Sequence, residues 1–392
     1  MAAATLAAPV DRLEDRLDAL HQAVPMIGAR LHGETWHPGP PPAPQIIDDD
    51  PLAAPDLVAR FDLATYPPIR VIAGSGGTRL AVACHHAAFD GLSLVALLAD
   101  LISPEDQPGH RGQLEAPRPP STEAVDSRGH PHSTSASFPL RGPEPQGPGV
   151  SRGPGSGLAD PMLREGGPGG RVGRSERRVP ELRGLVGRLV RPADRVAPSL
   201  VHTNREALAV AEVDLSGPKV TARLAVAAVA AAGAHNARLG HRWRRVGLNV
   251  GLAGLTGPGP RTVGGGGELG NFSGYRRVEL RAGEAVGTAL EAALARTREP
   301  LDQVWSPRFG WVLEPVVGRC SDSLLVSNLG RREVPGATRL EFFPVARGRS
   351  AVAVGAVGLA GGPVTVSVRA RDLSSEDAEA LLADLVARLG AG

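Results

Sequence analysis

The chain has 392 residues and a formal charge of +2 at pH 7, enough for two ordinary domains and without the basic balance of a nucleic-acid partner. Aromatic residues make up only 3%, which removes the stacking platforms of a single-strand binder, and every basic residue but Lys219 is Arg or His, a compositional bias that discounts Arg clusters as signals. Two cysteines, Cys84 and Cys320, make no disulfide framework and fit a reducing compartment.

The N-terminus lacks a basic region followed by a long apolar run, so no signal peptide is expected. Leu13, Leu17, Leu20 and Val24 make residues 11–24 an amphipathic helix. Residues 60–72 and 78–84 read as extended segments, and Leu92 to Leu101 as an apolar helix. From 103 to 180 the composition turns to Pro, Gly, Ser and Arg with almost no apolar period, and such a segment is expected to be disordered.

Order is expected to return with a helix from Pro180 to Val190 and a strand from Ala207 to Val213. A long Ala-rich helix follows over Val220 to Leu239, then a strand from Arg245 to Leu252 and a Gly/Pro-rich loop from Thr256 to Gly267. Tyr275 to Leu280 reads as a strand, and the stretch near Glu284 to Arg298 as a helix. A strand from Ser323 to Ser327 ends at Asn328-Leu329-Gly330, and 351–357 with 364–370 form a hairpin around Gly358 to Gly362. Asp372 to Asp377 caps a last helix with the apolar stripe Ala378, Leu381, Leu382, Leu385 and Leu389. The longest helical apolar run, Leu224 to Ala234, is too short to span a bilayer, so a cytoplasmic protein with no transmembrane segment is expected. Strands, helices and hairpins together predict an α/β (α+β) sandwich.

Between the strand ending at Cys84 and the helix starting at Leu92 lies His85-His86-Ala87-Ala88-Phe89-Asp90-Gly91. A strand–turn–helix junction holds a reacting imidazole from both sides, as general-base chemistry requires. His86 and Asp90 are four apart, so a helical turn would set them on one face, where the carboxylate either orients the imidazole or fixes the loop. Gly91 permits close backbone approach at the helix start, where an N–H is placed to face an oxyanion.

This His-His-x-x-x-Asp-Gly pattern resembles the signature of the condensation-domain and chloramphenicol-acetyltransferase-like acyltransferases. Further residues are similar to landmarks of that superfamily, in order: Leu17 to Trp36, Arg60-Phe61-Asp62-Leu63, Pro67-Pro68-Ile69-Arg70, Gly247-Leu248-Asn249-Val250, Leu269-Gly270-Asn271-Phe272 and Val326-Ser327-Asn328-Leu329-Gly330. The resemblance implies two chloramphenicol-acetyltransferase-like lobes in a V with a central tunnel. Residues 1–102 would form the N-terminal lobe with the His motif, 103–180 an insertion, and 181–392 the remainder, mainly the C-terminal lobe. It implies His86 as the catalytic base, His85, Asp90 and Gly91 as motif and structural residues, and Asn271 and Asn328 near the tunnel wall. The Arg that pairs with the motif Asp falls at Gly28 in this chain, which leaves Arg30 or Arg70 as substitutes.

The reaction implied is acyl transfer from a thioester to a hydroxyl or amine, with no metal and no bound cofactor. Acyl-CoA or a phosphopantetheinyl thioester on an acyl-carrier protein would be the co-substrate, and a small molecule or carrier-tethered group the acceptor. A free-standing, polyketide-associated-protein-type enzyme of secondary metabolism or lipid assembly fits, as does a wax-ester synthase relative. Arg331 and Arg332 are either contacts for a pantetheine phosphate or solvated surface. Three other readings stand beside this one. His85 and Asp90 match the His-x-x-x-x-Asp motif of glycerolipid acyltransferases, and His85, His86 and Asp90 could hold a metal. A condensation-like fold can also serve as a non-catalytic docking or scaffold module for a carrier protein or synthase.

Overall fold

Apolar strands build two large sheets, and helices pack on each of them. The computed structural model describes residues 1–33, 35–103, 192–201, 206–252, 269–271, 273–281, 285–295, 322–345 and 352–390. The sequence readings for 104–180, the Pro180–Val190 helix, the Thr256–Gly267 loop, Phe272 and Cys320 lie outside them.

The first half runs β1 (Ala2–Leu6), α1 (Leu13–Ala23), the hairpin β2 (Arg30–His32) and β3 (Thr35–His37), β4 (Gln45–Ile47), α2 (Pro55–Val58), β5 (Ile69–Gly74), β6 (Arg79–Cys84) and α3 (Gly91–Ile102). The second half runs β7 (Ala207–Val213), α4 (Val220–Arg238), β8 (Arg245–Leu252), β9 (Gly274–Arg281), α5 (Val286–Ala295), β10 (Leu324–Arg332), β11 (Ala337–Phe342), β12 (Val352–Leu359), β13 (Val364–Ala370) and α6 (Ser375–Gly390).

A five-stranded sheet has the order β11-β1-β6-β5-β4, and a six-stranded sheet the order β7-β13-β12-β10-β8-β9. Leu13, Leu17 and Leu20 of α1 pack with Leu94, Leu97, Leu98 and Leu101 of α3 on the first sheet. Each such leucine contributes about 1.5–3 kcal/mol by leaving water. The Arg16 guanidinium then donates to the carbonyls of Leu101, Ile102 and Ser103 at 3.0, 3.1 and 2.7 Å, capping the carbonyls that α3 leaves over at its C-terminus. On the second sheet, Val246, Leu248 and Val250 of β8 meet the alanines of α4, and the stripe Ala378, Leu381, Leu382, Leu385 and Leu389 of α6 closes the core. Among the described residues no helix is long and apolar enough to cross a membrane.

Two sequence readings change, and a strand absent from them takes an unexpected place. Of the extended stretch 60–72 only Ile69–Gly74 with β6 is ladder, because Asp62 accepts the Ala64 N–H and turns the chain before Pro67-Pro68. β10 continues past Asn328 to Arg332: the Asn328 carboxamide accepts the Gly330 N–H at 2.9 Å, a bulge forms, and pairing with β12 resumes at Arg331. β11 belongs to the first sheet, antiparallel to β1, although it lies between β10 and β12 in the chain. As an edge strand it would leave carbonyls open. Instead the Thr365 hydroxyl donates to Leu340 at 2.6 Å and the Ser367 hydroxyl to Phe342. A Cβ on Gly355 of β12 would fall 2.2 Å from the Phe342 carbonyl oxygen, so only glycine lets β11 lie this close to the second sheet.

Candidate functional site

β6 delivers the motif, and its ladder ends with the His85 N–H donating to the Pro68 carbonyl at 2.7 Å. The chain then turns: the Ala88 and Phe89 N–H groups both reach back to the His85 carbonyl, at 2.9 and 3.3 Å. His85 Nδ1 accepts the Ala87 N–H at 3.1 Å, and the His85 ring meets Phe61 edge to face at 5.9 Å. Both imidazole and carbonyl of His85 therefore shape the turn. Cys84 sits below it with Sγ 3.6 Å from the Phe89 carbonyl, and burial pushes its thiol up to about 11.

His86 points elsewhere. Its Nδ1 lies 3.4 Å from the Phe89 carbonyl, which can only accept, so in the neutral ring Nδ1 carries the proton and Nε2 is the accepting nitrogen. Nε2 faces the Tyr275 hydroxyl at 2.9 Å and the Ser273 hydroxyl at 3.4 Å, and the Tyr275 ring stands edge-on to the imidazole at 6.0 Å. Ser273 in turn donates to the Asn271 carboxamide oxygen at 3.0 Å. Asn271 is thus joined to His86 through one hydroxyl.

Asp90 is the N-cap of α3, with extended backbone and 1% exposure, and its Oδ1 accepts the Ser93 N–H at 2.9 Å. The four-residue spacing from His86 is therefore not helical: His86 lies in the turn and Asp90 begins the helix. The Asp90 N–H donates to the Gly270 carbonyl at 3.0 Å. The Ser93 hydroxyl and Gly270 are close on both sides, 2.8 Å to the carbonyl and 3.1 Å from the N–H. These bonds pin the start of α3 to the segment that leads into β9. Gly91 allows the same junction to close, since a Cβ there would sit 2.9 Å from Phe342 Cζ and 3.1 Å from Leu329 Cδ2.

Neither expected Arg partner reaches Asp90. Arg30 donates to the carbonyls of Thr65, Gly28 and Ala29, and Arg70 to those of Asp56, Ala59 and Arg60 while stacking on Phe61 at 3.9 Å. Each guanidinium is held by local carbonyls that the sequence could not show. Asn328 is likewise structural: besides the bulge it donates to the Thr221 hydroxyl of α4 at 3.1 Å. Arg331, on the exposed surface, turns back on the Leu359 and Gly362 carbonyls, and the half-buried Arg332 on the Leu329 carbonyl. Among the described residues no group of three or more His, Cys, Asp or Glu side chains is placed to hold a metal ion.

Sequence reasoning missed Ser93, Gly270, Ser273 and Tyr275 as partners of the motif. Only rarity marks the last, one of 2 tyrosines in the chain.

No protein-family model matches the sequence, and no curated protein matches it either. Solved structures do. The first condensation domain of the calcium-dependent antibiotic synthetase, in complex with a substrate analogue, aligns at a TM-score of 0.55 and 15% identity, covering 99% of this chain and 90% of that one. Another crystal structure of the first condensation domain of that synthetase aligns at 0.51 and 15%, covering 100% of this chain and 89% of that one. The chain has the two-lobe condensation-domain fold.

Proposed function

We propose that this protein is an acyltransferase that moves an acyl group from a thioester, on coenzyme A or an acyl-carrier protein, to a hydroxyl or amine, with His86 as general base. The observation that carries the reading is His86 Nε2, oriented by the Phe89 carbonyl and facing two hydroxyls where the motif meets β9. A nitrogen that accepts from the Tyr275 O–H at 2.9 Å, with the Ser273 hydroxyl oxygen beside it at 3.4 Å, is placed to accept from an acceptor O–H or N–H in the same direction. The likeness in fold to a condensation domain that binds a substrate analogue supports the same class of chemistry.

The step balances without a metal. The acceptor oxygen or nitrogen attacks the thioester carbonyl carbon as its proton passes to His86 Nε2, and a C–O or C–N bond forms. The tetrahedral intermediate collapses, the C–S bond breaks, and the imidazolium returns the proton to the leaving thiolate. The product is an ester or amide of a secondary metabolite or lipid.

The test is thiol release from a panel of acyl-CoA and acyl-carrier thioesters with pooled alcohols and amines, wild type against His86→Ala. Acceptor-dependent release should fall about 10²–10⁴-fold in the variant, the range for a lost general base, at an unchanged melting temperature. Equal release from both proteins would overturn the base role, and no release from either would favour a docking module.

A further inference from the structure

An imidazole nitrogen offers one lone pair in the ring plane, and on His86 Nε2 that lone pair faces a hydroxyl of the chain itself. The Tyr275 O–H donates to it at 2.9 Å, with the Ser273 hydroxyl behind at 3.4 Å. The placement is built in. Tyr275 lies in β9 opposite Gly251 of β8, which presents no side chain beside it. Its ring packs against Leu325 of β10 and Ala353 of β12, both buried in the second sheet. The ring therefore comes from the sheet of one lobe and its hydroxyl ends on the motif of the other.

We infer that Tyr275 is a positioning residue that gates the acceptor. Its hydroxyl occupies the place an acceptor hydroxyl or amine takes on His86, so that an acceptor binds by displacing it. This rests on the acyl-transfer reading of His86 given above. A single lone pair cannot accept strongly from two donors, so phenol and acceptor compete for it. The exchange replaces one O–H donor by another, and the hydrogen-bond count at His86 stays level. Before the acceptor arrives the phenol denies the base to water, which otherwise would be activated against the bound thioester. Tyr275 thereby favours transfer over hydrolysis, and no bond to Tyr275 itself forms or breaks.

The test compares wild type, Tyr275→Phe and His86→Ala for two rates on one thioester: thiol release without acceptor, and ester or amide formation with it. Phenylalanine keeps the ring against Leu325 and Ala353 and removes only the hydroxyl. Its acceptor-independent hydrolysis should rise about 2- to 10-fold, the weight of one hydrogen bond, and the acceptor KM should fall by a similar factor. A variant disturbed only in structure would lose both rates and show neither change. An unchanged hydrolysis-to-transfer ratio and KM, with transfer still dependent on His86, would overturn the gate and leave the acyl-transfer reading standing. Absence of His86-dependent transfer would remove both.

A second measurement needs no variant. In wild-type protein labelled with ¹⁵N-histidine, the His86 Nε2 resonance should report a hydrogen-bonded acceptor coupled to the Tyr275 hydroxyl proton. Saturation with an alcohol acceptor in the absence of thioester should abolish that coupling. Its persistence in the saturated protein would overturn the gate.

Discussion

Asp90 and His86 belong to one motif, yet their side chains serve different ends. Asp90 is buried, and its carboxylate answers the Ser93 N–H in the first turn of α3. Asp90→Ala removes that acceptor inside the protein, so the loss should exceed the roughly 1 kcal/mol of an exposed cap. Asp90→Asn keeps an oxygen for the same N–H and should recover most of the stability in urea unfolding. If Asn proves as costly as Ala, the charge and not the cap is what the site requires. The sequence made this half of the site legible because strand, turn and helix follow one another within 24 residues, Arg79 to Ile102. Tyr275 was not legible. It lies 189 residues from His86, and no local period says which strand of the far sheet meets a turn.

At the scale of elements, the junction of α3 with β10 and β11 turns on Gly91. A methyl group there would enter the space of the Phe342 ring and the Leu329 side chain. Gly91→Ala should therefore cost about 1–3 kcal/mol, as overpacking does, measured as a lowered urea midpoint at an unchanged slope. A midpoint within error of wild type would mean that the aromatic ring yields freely. The glycine itself was legible in the motif, but the reason for it was not, because β11 escaped the sequence reading. So did β1, whose Ala2-Ala3-Ala4 is fully buried on both faces and shows no alternation between apolar and polar residues. Helices with wide leucine stripes, such as α1 and α6, were legible for the opposite reason: one face is buried and the other is wet.

Across the whole molecule, the two sheets meet around a carboxylate that no motif announces. Glu341 of β11 is 1% exposed and pairs with Arg79 of β6 at 2.7 Å and with Arg339 at 2.8 Å. Its neighbours in the ladder are Ala3 and then Ala81, small enough to leave room for the carboxylate beside them. Arg79 also reaches Asp50 at 3.3 Å and the Thr5 hydroxyl at 2.9 Å, while Arg339 reaches Glu212 of β7 in the other sheet at 3.4 Å. Glu341 is thus the one deeply buried member of a charge chain that runs from the first sheet to the second. Removing it takes the nearest counter-charge from two guanidinium groups and leaves them Asp50 and Glu212 at 3.3 and 3.4 Å. The usual cost of about 3–5 kcal/mol for breaking a buried pair should fall towards its lower end, since Arg79 and Arg339 retain 19% and 32% exposure. Glu341→Ala should then unfold about 3 kcal/mol below wild type, and Glu341→Gln should lie between the two because it keeps the shape and an accepting oxygen. A double-mutant cycle with Arg79→Ala separates the pair from the packing: a coupling of about 1 kcal/mol or more assigns the loss to the ion pair. Coupling near zero, with the alanine variant still unstable, would assign it to the cavity left beside Ala3 and Ala81 instead.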